Sequence, residues 1–274
     1  ASISGFGQTG PYAKRPGFDQ IAQGMGGLMS ITGDPEGGPM RVGIPIADLT
    51  AGLFCALGIL TALVEREKSG EGQWLHTSLL QSQAFMLDFQ AARWLMKEEV
   101  APQVGNEHPT SIPTNRFLTQ DGAVNIAVAG NETWRRLCDA LGKPDWFEHA
   151  DYKTNADRRE NRDRLNGEIA DIIATKTSAE WVDALTAAGV PCGPIYKIDE
   201  MFADPQVQHL GIAQPLHTVP FGDTHAMGQP VQLTRTPSQL VGTPPTRGEH
   251  TLEILEELGI NADQAATLKD NSIV

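Results

Sequence analysis

A chain of 274 residues, 40% hydrophobic and 20% charged, is long enough to bury one large core or two smaller ones, and it does not read as disordered or fibrous. Its 34 acidic against 21 basic residues leave a formal charge of −13, which argues against non-specific attraction to nucleic acid or to an anionic membrane. Three cysteines (Cys55, Cys138, Cys192) without CxxC pairing suit a reducing, cytoplasmic setting and argue against a zinc or iron–sulfur cluster.

The opening stretch ASISGFGQTGPYAKRPGFDQ runs from a short strand-like segment straight into glycine and proline turns. A domain that starts without an obvious edge element is expected to have further chain before it. Glycines through residues 5–43 predict loops around one short helix near FDQIAQGMGGLM. A second helix is predicted from about Leu49 to Glu65. There Leu49, Phe54, Leu57, Leu60 and Val64 recur at helical spacing, while Ala56, Ile59 and Leu63 fill the other faces, so burial is expected nearly all round and Cys55 should be a packed thiol. The run LTAGLFCALGILTALVE is shorter than a membrane span requires, so no membrane association is expected. Gly70 offers a C-cap. QWLHTSLLQSQAFMLDFQAARWLM predicts a short extended piece leading into a helix that continues to Glu99, and helix, strand, helix order favours α/β architecture.

From about Asn115 the texture changes. Two strand-like runs flank Asp121-Gly122, a good hairpin turn. NETWRRLCDALG predicts a helix with Asn131 as N-cap and Gly142 as its stop, and the charged stretch KPDWFEHADYKTNADRRENRD reads as solvated. Thr177 and Glu180 have capping-box spacing before WVDALTAAG, and Gly189–Pro194 should form a rigid turn after that helix. These runs predict a smaller α+β domain over residues 115–215. The tail, residues 216–274, reads as a linker and two helices, the first with Leu252, Ile254, Leu255 and Leu258 as its docking residues.

Seven histidines show no HExxH or other metal spacing, so no metal site is expected. Phosphate-loop, complete GxGxxG and GxSxG patterns are all missing, which removes Ser4 and Ser78 as plausible nucleophiles. The acid that stands out is Asp48 in GIPIADLT, between a short apolar run and the predicted helix. It reads either as an N-cap or as a nucleophile, and the two roles are compatible.

The segments ASISGFGQTGPYAKRPGFDQIAQGMGGLMSITG, RVGIPIADLTAGLFCALGILTALVEREKSGEGQWLHTSLL, GNEHPTSIPTNRFLTQDG, AGVPCGPI and GEHTLEILEELGI occur in an order that resembles the family III CoA-transferases, the group of formyl-CoA transferase and its carnitine and dicarboxylate relatives. The resemblance covers essentially the whole chain. It implies an α/β fold with a large open Rossmann-like parallel-sheet domain, of which residues 1–100 would be part, plus a smaller α+β domain. It also implies tail helices returning to the large domain, an interlocked homodimer, and about a hundred preceding residues. Asp48 becomes the nucleophile of a route through aspartyl mixed-anhydride and aspartyl-CoA thioester intermediates. Coenzyme A is then a substrate, and no tightly bound cofactor is implied.

Amides near Leu49 and Thr50, and near Gly26 and Gly27, become candidate oxyanion donors. Phe18-Asp19 stands where formyl-CoA transferase carries a tyrosine–acid pair, so Asp19 is expected either to line the pocket or to be a buried structural acid or a surface cap. Gly105, Asn106 and His108 are expected to cover the acceptor site or to form a rigid interdomain turn. Lys14, Arg15 and Arg41 would meet CoA phosphates or a second carboxylate. Where formyl-CoA transferase carries a mobile tetraglycine loop this sequence has GNEHPTSIPT, which points away from formyl or oxalate as substrate; a small dicarboxylate acceptor is expected. An α-methylacyl-CoA racemase-like enzyme and a noncatalytic CoA-binding subunit remain as alternatives.

Overall fold

A computed structural model of the chain describes residues 1–219, 221–240 and 242–274. Strand β1 (Ser2–Ser4) pairs in parallel with β2 (His76–Ser78), Ser2 facing His76 and Ser4 facing Ser78. Parallel neighbours need a long crossover. It is built from α1 (Asp19–Met25), α2 (Leu28–Ile31) and the 24-residue α3 (Ile46–Ser69). After β2 come α4 (Leu79–Phe85), capped by the Ser78 hydroxyl, and α5 (Phe89–Lys97). The single helix expected here is thus two, broken where Asp88 takes φ 48° and ψ −123°. No glycine or proline marks that break in the sequence.

Helix α3 is longer than predicted and ends on Gly70, whose φ of 77° and N–H bond to the Arg66 carbonyl make the expected C-cap. Its burial is much less than the apolar pattern predicts. Only Ala47, Thr50, Ala51 and Cys55 are buried, whereas Leu53, Leu57, Leu60 and Val64 are 60–69% exposed, because α1, α4 and the β1–β2 pair leave that part of the helix uncovered. Among the described residues α3 is the one helix long and apolar enough to cross a membrane, which corrects the expectation that this run is too short.

A second core follows in the same unit of the chain, which extends over Ala1–Ile195. Strands β3 (Asn115–Leu118) and β4 (Ala123–Ile126) form the expected antiparallel hairpin. Helices α6 (Gly130–Ala140), α7 (Asn155–Glu160), α8 (Arg162–Ile173) and α9 (Ser178–Ala187) follow, with a 3-10 turn at Pro144–Phe147. The predicted turn at 189–194 is instead partly a strand, β5 (Cys192–Pro194), which adds antiparallel to β4 and completes the order β3-β4-β5. Thr177 and Glu180 make the predicted capping box, whereas α6 starts at Gly130 without a side-chain cap and takes Asn131 into its first turn. Trp134, Leu137, Cys138, Leu165, Ile169, Ile173, Trp181 and Leu185 meet Val124 and Ile126 in a closed apolar core.

The charged stretch before α8 is not simply solvated. Tyr152 and Arg158 are buried within it, and Arg158 donates to the carbonyls of Ile112 (2.8 Å) and Tyr152 (2.9 Å) with its guanidinium 5.0 Å from the centre of the Trp134 ring. Those acceptors stabilise a cation that burial would otherwise disfavour.

The second unit, Tyr196–Val274, contains α10 (Ile198–Ala203), α11 (Pro205–His209) and the hairpin of β6 (Ala213–Thr218) with β7 (Gly222–Met227). The two predicted tail helices are α12 (Thr251–Glu257) and α13 (Ala262–Asp270). Of the four apolar residues proposed for docking the first of them, only Leu255 is buried. The described fold is therefore mixed α/β, with one parallel pair and two antiparallel sheets.

Burial pushes the Cys138 thiol from 9.0 up to about 12. The folded state keeps the proton after the unfolded chain has lost it, so this contribution to stability is complete below pH 9 and fades between pH 9 and about 12. Denaturant titrations across that window should show stability falling with pH, and Cys138→Val should flatten the fall. An unchanged slope in the variant would contradict this account.

Candidate active site

Helix α1 presents Asp19, Ala22, Gln23 and Gly26 at i, i+3, i+4 and i+7, one face of an α-helix. The first three are buried, and Ala22 packs with Ala47 and Ala51 of α3 and Leu79 of α4. Small side chains here let the three helices approach closely. At Gly26 a Cβ would stand 2.5 Å from Cγ of Gln83 and 2.7 Å from the Ala22 carbonyl oxygen, so no larger residue fits without displacement. The Gln83 side chain behind it is fully buried, and its amide has no hydrogen-bond partner among the described residues.

The first turn of α3 is assembled against this face. Its N-cap position is Pro45, which provides no side-chain cap, and Asp48 is the third helical residue. The cap comes from elsewhere in the chain: Oδ1 of Asp19 accepts the Ala47 N–H at 2.8 Å, and Oδ2 of Asp19 accepts from Nε2 of Gln23 at 2.7 Å. Asp48 does no capping. It is exposed, and among the described residues its carboxylate takes part in no hydrogen bond or ion pair. The Ile46 N–H is taken by the Ile44 carbonyl and the Leu49 N–H by Pro45, which leaves the Asp48 N–H as the open donor of this turn among the described residues. An unengaged carboxylate thus stands where the helix concentrates partial positive charge, a place suited to hold a developing oxyanion.

Phe18, directly before this cluster, is 77% exposed. The Gly26 N–H donates to the Ala22 carbonyl at 2.7 Å and that of Gly27 to Gly24 at 3.4 Å, so both close the end of α1 and neither is free. Gly27, Ile31, Ala84, Leu87, Trp94 and Val100 line an apolar cleft of about 450 Å³. Arg15 lies over the Tyr12 ring at 3.7 Å, while Lys14 and Arg41 are exposed.

The Gly105–His108 segment is tied elsewhere. Gly105 donates to the Gly33 carbonyl (3.2 Å), and Asn106 is exposed. Nδ1 of His108 accepts the N–H groups of Thr110 (3.2 Å) and Ser111 (3.0 Å), so in its neutral form the ring carries its proton on Nε2. Glu107 accepts from Arg162 and Asn166, a firm anchor onto α8. No hydrogen bond joins this segment to the start of α3 among the described residues. Gln23 was not picked out from the sequence, although the Asp19–Gln23 spacing of four on a helix marks such a pair.

The profile described as CoA-transferase family III matches residues 1–251. Succinate–glutarate CoA-transferase of Agrobacterium fabrum is 39% identical over 262 residues, covering 94% of this chain and 64% of that protein. Human succinyl-CoA:glutarate CoA-transferase is 33% identical over 257 residues, covering 94% and 59%. The crystal structure of a CAIB/BAIF family protein from Brucella suis is similar with a TM-score of 0.78 at 32% identity, over 94% of this chain and 67% of that one. The chain spans 64% and 59% of the lengths of these two curated relatives.

Division of labour between the two acids has a direct test in thermal or denaturant unfolding. Asp19→Ala removes the cap and strands the Gln23 amide, and should cost about 1–3 kcal/mol. Asp48→Asn should stay within about 0.5 kcal/mol of the parent. Equal losses would show that Asp48 carries structure after all.

Proposed function

The chain belongs to CoA-transferase family III, and from that premise we propose that it moves coenzyme A from an acyl-CoA to a small dicarboxylate, with Asp48 as nucleophile. The observation that carries the reading is the unengaged Asp48 carboxylate, freed from capping by Asp19, in the first turn of α3. Glutarate in the names of both relatives, beside succinate in one and succinyl-CoA in the other, supports the acceptor class.

An Asp48 carboxylate oxygen attacks the thioester carbonyl carbon, the carbon–sulfur bond breaks, and a mixed anhydride forms with release of CoA thiolate. The thiolate then attacks the Asp48 carbonyl carbon and expels the donor acid as its carboxylate, leaving an aspartyl-CoA thioester. The acceptor carboxylate attacks that thioester, displaces the thiolate and gives a second mixed anhydride. Attack of the thiolate on the acceptor's acyl carbon releases the new acyl-CoA and restores Asp48. Each step replaces one acyl bond with another, so no external base is consumed. Oxyanions formed at the Asp48 carbonyl lie near the positive end of α3. Water must be kept out, since each intermediate hydrolyses.

The same reading assigns Phe18, Gly26 and Gly27 to the surroundings of the acyl group, and Arg15 and Arg41 to CoA phosphates. It places Gly105, Asn106 and His108 over the acceptor. It takes residues 1–100 as part of a large Rossmann-like domain, 115–215 as the small domain and 216–274 as linker and returning helices. Three free thiols support a cytoplasmic setting. The exposed apolar side of α3 supports an interlocked dimer, and sedimentation velocity should give twice the chain mass; a monomer at micromolar concentration would remove that part of the reading.

Incubating the protein with succinyl-CoA and glutarate should yield glutaryl-CoA, and hydroxylamine quenching should mark the peptide containing Asp48. Asp48→Asn should lose both the mark and, on the order of 10⁴-fold or more, the turnover. Solvent deuterium entering the acyl α-carbon without CoA exchange would replace transfer by a racemase-type reaction.

A further inference from the structure

We propose that Gln23 is a positioning residue for Asp48, an inference that rests on the transferase reading. Its side chain has no exposure to solvent, and its amide is engaged at both ends. Nε2 donates to Oδ2 of Asp19 at 2.7 Å and lies 3.4 Å from the Ile44 carbonyl, while Oε1 accepts the Val42 N–H at 2.9 Å. Through Asp19 the same amide reaches the Ala47 N–H, held at 2.8 Å.

Residues 42–45 have no regular structure, and Pro45 has no N–H with which to fix itself. One buried amide therefore joins the loop before α3, at Val42 and Ile44, to the carboxylate that caps its first turn. Asp48 is the next residue after Ala47 and has no side-chain bond of its own, so the backbone that Gln23 fixes determines where its carboxylate stands. The amide is suited to this position because it gives a proton to Asp19 and accepts one from Val42 at the same time. An ionised carboxylate can only accept, and would face Asp19 with like charge; a protonated carboxyl can do both.

That chemistry makes Gln23→Glu a pH-controlled test. Initial rates with succinyl-CoA and glutarate are compared for the parent, Gln23→Glu and Gln23→Met from pH 5 to pH 8, below the unfolding temperature of each. Hydrogen exchange of peptides covering residues 42–50 is followed in parallel. At the upper end Gln23→Glu should lose about 10- to 100-fold in kcat with the KM for succinyl-CoA within about twofold, because the nucleophile is displaced while the substrate contacts are intact.

As the pH falls and the introduced carboxyl takes up its proton, kcat relative to the parent should recover and exchange over 42–50 should slow. Gln23→Met should lose kcat without any such recovery. Parental kcat in Gln23→Glu at all pH values, or a loss that lowering the pH does not reverse, would overturn the proposal. If the parent itself transfers no CoA, the transferase reading falls. Exchange over 42–50 then decides separately whether Gln23 holds the loop, and unchanged exchange in both variants would overturn that as well.

Discussion

A helix that begins on proline has no side chain of its own to close its first N–H groups, and the start of α3 depends on a carboxylate from 28 residues earlier. Asp19 can reach Ala47 only because α1 lies close against α3. That approach relies on the small residues Ala22, Ala47 and Ala51 at the contact and on Gly26 against Gln83. A cap of this kind contributes about 1 kcal/mol. It also leaves Asp48, the acid in the first turn of α3, without a capping task. Local sequence would assign Asp48 to capping, whereas tertiary structure gives that work to Asp19.

The second core of the same unit follows different rules. Trp134, Trp181 and the aliphatic side of α8 exclude water from a three-stranded antiparallel sheet, and Arg158 enters that interior on backbone carbonyls and an aromatic face, without a carboxylate partner among the described residues. Glu107, fixed by Arg162 and Asn166, connects the α8 side of this core to the turn carrying Gly105 and His108. The helical α3 region carries the unengaged Asp48 carboxylate, and the sheet-containing region supplies a stiff base for a neighbouring turn.

Much of the fold was legible where a local rule decides. The Asp121-Gly122 hairpin, the Thr177 capping box, the Gly70 C-cap and the two tail helices depend on short-range chemistry. Errors arose where distant partners decide. The apolar residues of α3 predicted burial that α1, α4 and the β1–β2 pair provide only in part, and the α4–α5 break sits at an aspartate with no breaker residue nearby. Cys192–Pro194 reads as a turn until β4 provides its hydrogen-bonding partner. At the candidate site Asp48 was visible through its sequence context, whereas the Gln23 amide was not, because its contacts at Val42 and Ile44 lie about twenty residues away.

A cap supplied across 28 residues also has a kinetic side. An ordinary N-cap forms with its helix, on the timescale of a single turn, but this one must wait until the intervening loop has closed and α1 has docked. The end of α3 that carries Asp48 is therefore completed by a non-local event, after its middle turns can already be helical. During synthesis and refolding, the first turn of α3 acquires its final geometry only once the surrounding helices have come together, so a partly folded chain with much of its helix content in place would still lack the native placement of Asp48.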